Sequence, residues 1–243
     1  MSESYRAVCT DFYVNQKLSV KLDLPRERQT VLDMFDRVRR QYPTMSHFRR
    51  FKEELALEAE ATAPEHRWLA IRTNNIRAGA VNPETLADAY AFHSHILEVA
   101  PYFLSISPLD VDFVELLFGF DLSADRNHDE VVYEALVSQS PLVKALDMPN
   151  TQMMDCQPNF GMLLKEHDVE VNFEVKTRPS SRSGRCEEPI SVYLTLRKLN
   201  PVTKIEQLAD VMTLLAKHGE EILDTRVVPH LVAPIRDAIG SGS

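Results

Sequence analysis

Six side chains that bear oxygen or imidazole ligands fall within one short stretch: Asp121, Asp125, Asn127, His128, Asp129 and Glu130. Groups of these types can bind a divalent cation, and a metal-bound water would give a hydrolase its nucleophile at neutral pH. The spacing argues against convergence. His128, Asp129 and Glu130 are adjacent, so on a helix they fan around the axis instead of meeting. Asn and acidic residues at a helix start are also what capping and the helix dipole favour. Capping is therefore the first reading of this stretch. A metal-dependent hydrolase centred on Asp125, His128 and Asp129 is the alternative.

Basic side chains mark two further places. Arg37, Arg39 and Arg40 close an amphipathic helix, and Arg49, Arg50 and Lys52 follow, with Phe48 and Phe51 interleaved. Alternating cations and rings can hold single-stranded RNA by phosphate contact and stacking, which makes an RNA-binding module the third reading. The polar stretch 176–188 carries Arg178, Arg182 and Arg185 and reads as a long loop able to clamp an anionic partner.

Other chemistries lack their signatures. There is no Gly-x-Ser-x-Gly, no phosphate-binding glycine loop and no dinucleotide fingerprint, and seven glycines supply few backbone cradles. His93 and His95 sit two apart and face different sides of a helix; His218 and His230 lie where two helical segments could bring them together. Cys9, Cys156 and Cys186 have no metal or redox spacing and read as free thiols of a reducing compartment. No cofactor, resident metal or catalytic residue is expected on the first reading.

Net charge is −9 over 243 residues, but it is unevenly spread. Residues 1–52 carry +5 and the remainder −14. An overall negative field repels nucleic acid, while opposite charge on two surfaces suits association between copies or with a protein partner. The sequence has no long uncharged apolar run and begins without an apolar leader, so neither a membrane span nor secretion is expected, and the cytoplasm is.

The elements that must position these groups follow from periodicity. Residues 5–22 alternate as an extended strand or a strand pair turning at Asn15-Gln16, and Val31, Leu32, Phe35, Val38 and Tyr42 give a helix stopped by Pro43. Residues 48–57 read as a strand or ribbon and 68–78 as a second strand, interrupted at Asn74-Asn75 by a turn or bulge. Asn82-Pro83-Glu84-Thr85 predicts a helix start with Asn82 as cap, and that helix is expected to run to Pro101. An aromatic strand follows over 109–120. Asn127 then caps a helix over 128–138, and a short helical turn covers 141–147. Three alternating runs near 160–164, 169–175 and 190–196 predict an antiparallel sheet with Glu170, Asn172, Glu174 and Lys176 outward. A long helix opens at Thr203 with a break near Gly219. The fold class is α+β, with antiparallel sheets, helices on one face and a ferredoxin-like first half. Residues 1–122 form that half, 123–150 a helical connector, and 151–239 a partial second copy closed by a long C-terminal helix. Residues 240–243 read as a flexible tail.

The basic helix ending in Tyr42-Pro43, the Trp68 strand followed by Asn82-Pro83 and an aromatic helix, and the closing helix with Leu214-Leu215-Ala216-Lys217-His218 and Ile222 resemble a sporadically distributed bacterial family of unknown function with a two-part α+β architecture. The chain departs from that pattern in lacking a Pro-rich N-terminal strand entry and an Arg-Tyr-Asn segment at the central strand, where it has Leu117-Phe118-Gly119-Phe120. The resemblance implies a fold and no reaction. The functional expectation is a non-catalytic cytoplasmic protein that assembles with itself or with a protein partner, using Arg39, Arg40, Arg49, Arg50, Arg178, Arg182 and Arg185.

Overall fold

The computed structural model describes residues 5–60, 65–183, 186–200 and 202–241. Nine strands are formed: β1 (Asp11–Val20), β2 (His47–Arg50), β3 (Leu55–Glu58), β4 (His66–Ile71), β5 (Asn75–Val81), β6 (Val111–Leu122), β7 (Asn159–Leu164), β8 (Val169–Lys176) and β9 (Ile190–Leu199). They join in one sheet of order β2-β3-β4-β5-β1-β6-β9-β8-β7. Every neighbouring pair is antiparallel.

Six helices complete the α+β fold: α1 (Arg28–Gln41), α2 (Leu86–Phe103), α3 (His128–Leu136), α4 (Val143–Leu146), α5 (Leu208–Ile222) and α6 (Ala233–Ser241). Helix α1 packs on α2 and α2 on α5, while α2 touches β1 and β5 and α5 touches β6 and β9. One sheet face is thus covered, and alternation sorts the residues. In β1, Phe12, Val14 and Leu18 are fully buried beneath the helices, whereas Tyr13, Asn15 and Lys17 turn to the other, half-open face. The same parity continues outward: Val14 lies opposite Phe118, Phe118 opposite Leu194, Leu194 opposite Phe173 and Phe173 opposite Phe160. The sheet is unbroken from the strands of residues 1–122 to those of 151–239, because β6 pairs with β9.

Several local expectations are corrected. No turn forms at Asn15-Gln16, because β1 lies between β5 and β6 and ladder bonds on both sides outweigh the local turn preference. Of the two readings of 48–57, the ribbon forms: β2 and β3 pair as a hairpin. Thr85, not Asn82, caps α2, accepting from the Asp88 amide at 3.0 Å. Asn82 has left-handed backbone, φ 50, and its side chain ties the sheet instead. Its Oδ1 accepts from the Phe12 amide at 3.1 Å and its Nδ2 donates to Asp11 at 2.7 Å. Helix α2 passes through Pro101 to Phe103.

The closing helix does not break at Gly219. A side chain there would collide with the ring of Phe118, so glycine marks a close approach between α5 and β6. Beyond α5 the backbone widens into a π-helix over Leu223–Val232, which contains Pro229, and then tightens into α6. Gly240 and Ser241, read as tail, belong to α6; Gly242, Ser243 and Arg185 lie outside the described residues. Among the described residues no helix is long and apolar enough to cross a membrane.

Candidate functional site

The 121–130 stretch is built as a junction. Asn127 caps α3 by accepting from the Asp129 amide at 3.1 Å. His128 is fully buried, with Nε2 3.4 Å from the Ala124 carbonyl and its amide donating to Ser181 Oγ at 3.0 Å. Asp129 is also fully buried, and both its oxygens are engaged. Thr177 Oγ1 and the Cys156 amide donate to Oδ1 at 2.6 and 3.1 Å, and Arg182 Nε donates to Oδ2 at 2.9 Å. Asp121 lies apart on the half-open sheet face, accepting from Ser191 Oγ at 2.7 Å and from the Tyr13 hydroxyl at 3.2 Å. Burial raises its pKa, against the pull of those bonds. Among the described residues no three His, Cys, Asp or Glu side chains gather to hold a metal. His128 and Asp129 are thus engaged in a structural joint.

Histidines and thiols fit internal roles as well. His93 is wholly buried, its Nε2 3.1 Å from the Val14 carbonyl, and desolvation lowers its pKa to about 4. His218 meets the ring of His167 at 4.5 Å, not His230. Cys9, Cys156 and Cys186 are free, and burial pushes Cys156 up to about 11 and Cys9 up to about 12. Thiols held protonated in this way are poor nucleophiles.

Of the seven arginines expected to bind a partner, Arg185 lies outside the described residues and the other six fall in separate places. Arg182 is spent on Asp129, while Arg178 donates to Ser191 Oγ at 3.0 Å and lies 3.7 Å from Glu188. These two fasten the 176–188 segment to the domain. Arg39 pairs with Asp36 at the end of α1, and Arg49 pairs with Glu58 across the β2–β3 hairpin. Arg40 and Arg50 are exposed and have no ion-pair partner among the described residues.

Two surfaces among the described residues bear on function. The first is the edge strand β7, Asn159-Phe160-Gly161-Met162-Leu163-Leu164, which carries no charge and, among the described residues, pairs only with β8. Phe160 and Met162 continue the helix-covered rows of the sheet, but the helix layer stops short of them and leaves them 59% and 61% exposed. Leu163, on the opposite face, is 50% exposed. The second is a cleft of about 540 Å³ between the start of α1 and the β2–β3 hairpin. Val31, Leu32, Phe48 and Leu55 form its apolar floor, and Arg26, Arg28, Arg50 and Lys52 stand around it. Phe48 leans on Phe35 of α1 with ring centroids 5.8 Å apart.

No protein-family model and no curated protein matches this sequence. Among solved structures, the di-domain ARO/CYC BexL from the BE-7585A biosynthetic pathway aligns over 93% of this chain and 98% of that one, at 9% identity and a TM-score of 0.23. A likeness of that size carries no argument about fold or function.

Proposed function

We propose that this chain is a non-catalytic protein that works by assembling with a second copy of itself, and that β7 is the seam. The observation that carries this reading is the uncharged, exposed edge. Six residues with Phe160, Met162 and Leu163 half-bared form the kind of strand that natural proteins otherwise protect with charge, proline or a covering element. A second copy fits it for two reasons. Two β7 strands related by a two-fold axis perpendicular to the sheet pair antiparallel, as every strand in the chain already does, and keep both helix layers on one side. With Met162 opposite its own copy, Phe160 faces Leu164 across the seam, and no like charges are brought together within the strand pair. Joining β7 to β2 of another copy is disfavoured. In a nine-stranded sheet with only antiparallel neighbours the two edges run the same way, so with both helix layers on one side that joint would be a parallel pair.

The order β4-β5-β1-β6 beneath α1 and α2 supports reading residues 1–122 as a ferredoxin-like half with the β2–β3 hairpin added. Strands β7, β8 and β9 in consecutive antiparallel pairing, with α5 packed on β9, support reading 151–239 as its partial second copy. The free thiols support a cytoplasmic compartment.

Light scattering over a concentration series tests the proposal. A dimer is expected, and Met162→Lys should give a monomer that is still folded by circular dichroism, its melting temperature no longer rising with protein concentration. A wild-type chain that stays monomeric up to about 100 µM protein, at low and high salt alike, overturns it.

A further inference from the structure

We propose that the cleft between α1 and the β2–β3 hairpin is a binding site for a small amphiphilic anion, a carboxylate or phosphate head carried on an apolar tail. The site is distinct from the β7 seam, which lies at the opposite edge of the sheet. Its cations come from both walls: Arg26 and Arg28 from the α1 side, Arg50 and Lys52 from the hairpin. None of the eight lining residues is acidic, and none of the four cations has an ion pair or hydrogen bond among the described residues.

Arg26 and Arg28 sit where electrostatics opposes them. They flank the N-terminus of α1, the positive end of its dipole, where a cation costs free energy and an anion gains it. The first turn holds no acid, and the cap residue Glu27 makes no side-chain cap bond. Four unneutralised cations beside a helix start, over an apolar floor, present a field that a bound anion relieves and a surface that its tail covers. A volume near 540 Å³ suits a ligand of small-molecule size. A polyanion is disfavoured, because the net charge of −9 repels it more strongly than it repels a monoanion. A peptide adding to the β2 edge is disfavoured too. It would lie outside the cleft, along four residues of which Arg49 is already paired with Glu58.

Calorimetric titration with octyl phosphate below its micelle concentration tests this. Saturable one-to-one binding is expected, weakened about tenfold or more in Arg28→Ser/Arg50→Ser and also weakened in Phe48→Ser. Octyl trimethylammonium and inorganic phosphate alone should bind far less. All variants alter exposed side chains, and circular dichroism verifies that each is folded. Equal binding of octyl phosphate by the wild type and the double variant overturns the proposal. So does tight binding of an oligoribonucleotide that octyl phosphate cannot displace. Scattering data on the same samples keep this outcome separate from the fate of the β7 seam.

Discussion

Arg182 donates to Asp129 at 2.9 Å, and that ion pair, together with the His128 amide donating to Ser181 Oγ at 3.0 Å, holds the turn at 179–183 against the first turn of α3. The same carboxylate also receives Thr177 at the end of β8 and the amide of Cys156 ahead of β7, so four separate pieces of chain meet at a group with no exposed surface.

Removing the carboxylate should therefore be costly. Asp129→Ala leaves the partly exposed Arg182 guanidinium and two further donors, Thr177 Oγ1 and the Cys156 amide, without their acceptor and is expected to destabilise the fold by about 2 kcal/mol. Urea unfolding measures it, and limited trypsin digestion should cut faster after Lys176 and Arg182, the Arg178 bond being closed to trypsin by Pro179. Wild-type stability in Asp129→Ala would show that the junction is held by something else.

Two glycines on the half-open face are expected to resist substitution while a third accepts it. A Cβ at Gly119 would meet the ring of Tyr13, and one at Gly79 would meet the indole of Trp68 and the carboxamide of Asn15. Gly119→Ala and Gly79→Ala should each lower stability by about 1–3 kcal/mol, whereas Gly161→Ala, with open space at that position, should not. Thermal melts of the three variants separate these cases.

Acid should weaken the fold through His93. The Val14 carbonyl can only accept, so Nε2 carries the proton, and a second proton would sit on Nδ1, which is buried without a partner. The unfolded chain takes up that proton below about pH 6.5 while the folded chain refuses it until about 4, so stability falls as pH drops through this window. The loss from this one group approaches about 3 kcal/mol. Burial lowers His95, His128 and His218 as well, adding in the same direction, whereas the raised pKa of Asp121 works in reverse. Denaturant midpoints at pH 7, 6 and 5 should therefore fall less steeply for His93→Gln than for the wild type; parallel slopes would refute the assignment.

Alternating and helical periodicity was enough to read most strands and the long helices, because one face of each is buried and its residue types show it. What local pattern could not weigh was competition from the rest of the molecule. Asn82 has the chemistry of a cap, yet its side chain spans β1 and Thr85 takes that role. Gly219 resembles a break, yet it is the place where Phe118 needs room. The arginines of 176–188 resemble a free clamp, but Asp129 and Ser191 hold two of them. The cleft escaped notice because Arg26 and Arg28 lie far in sequence from Arg50 and Lys52. One signal was present: cations at a helix start, where the dipole disfavours them.

The π-wound stretch 223–232 gives the C-terminal end some slack. Each of its turns closes on the fifth residue onward instead of the fourth, so it holds more chain than an α-turn of the same purpose. A one-residue deletion at exposed Arg226 can be absorbed by rewinding to α geometry, leaving α6 seated. The same deletion inside α5 has no such reserve, because it would swing Gly219 away from Phe118 and drive a side chain into that ring.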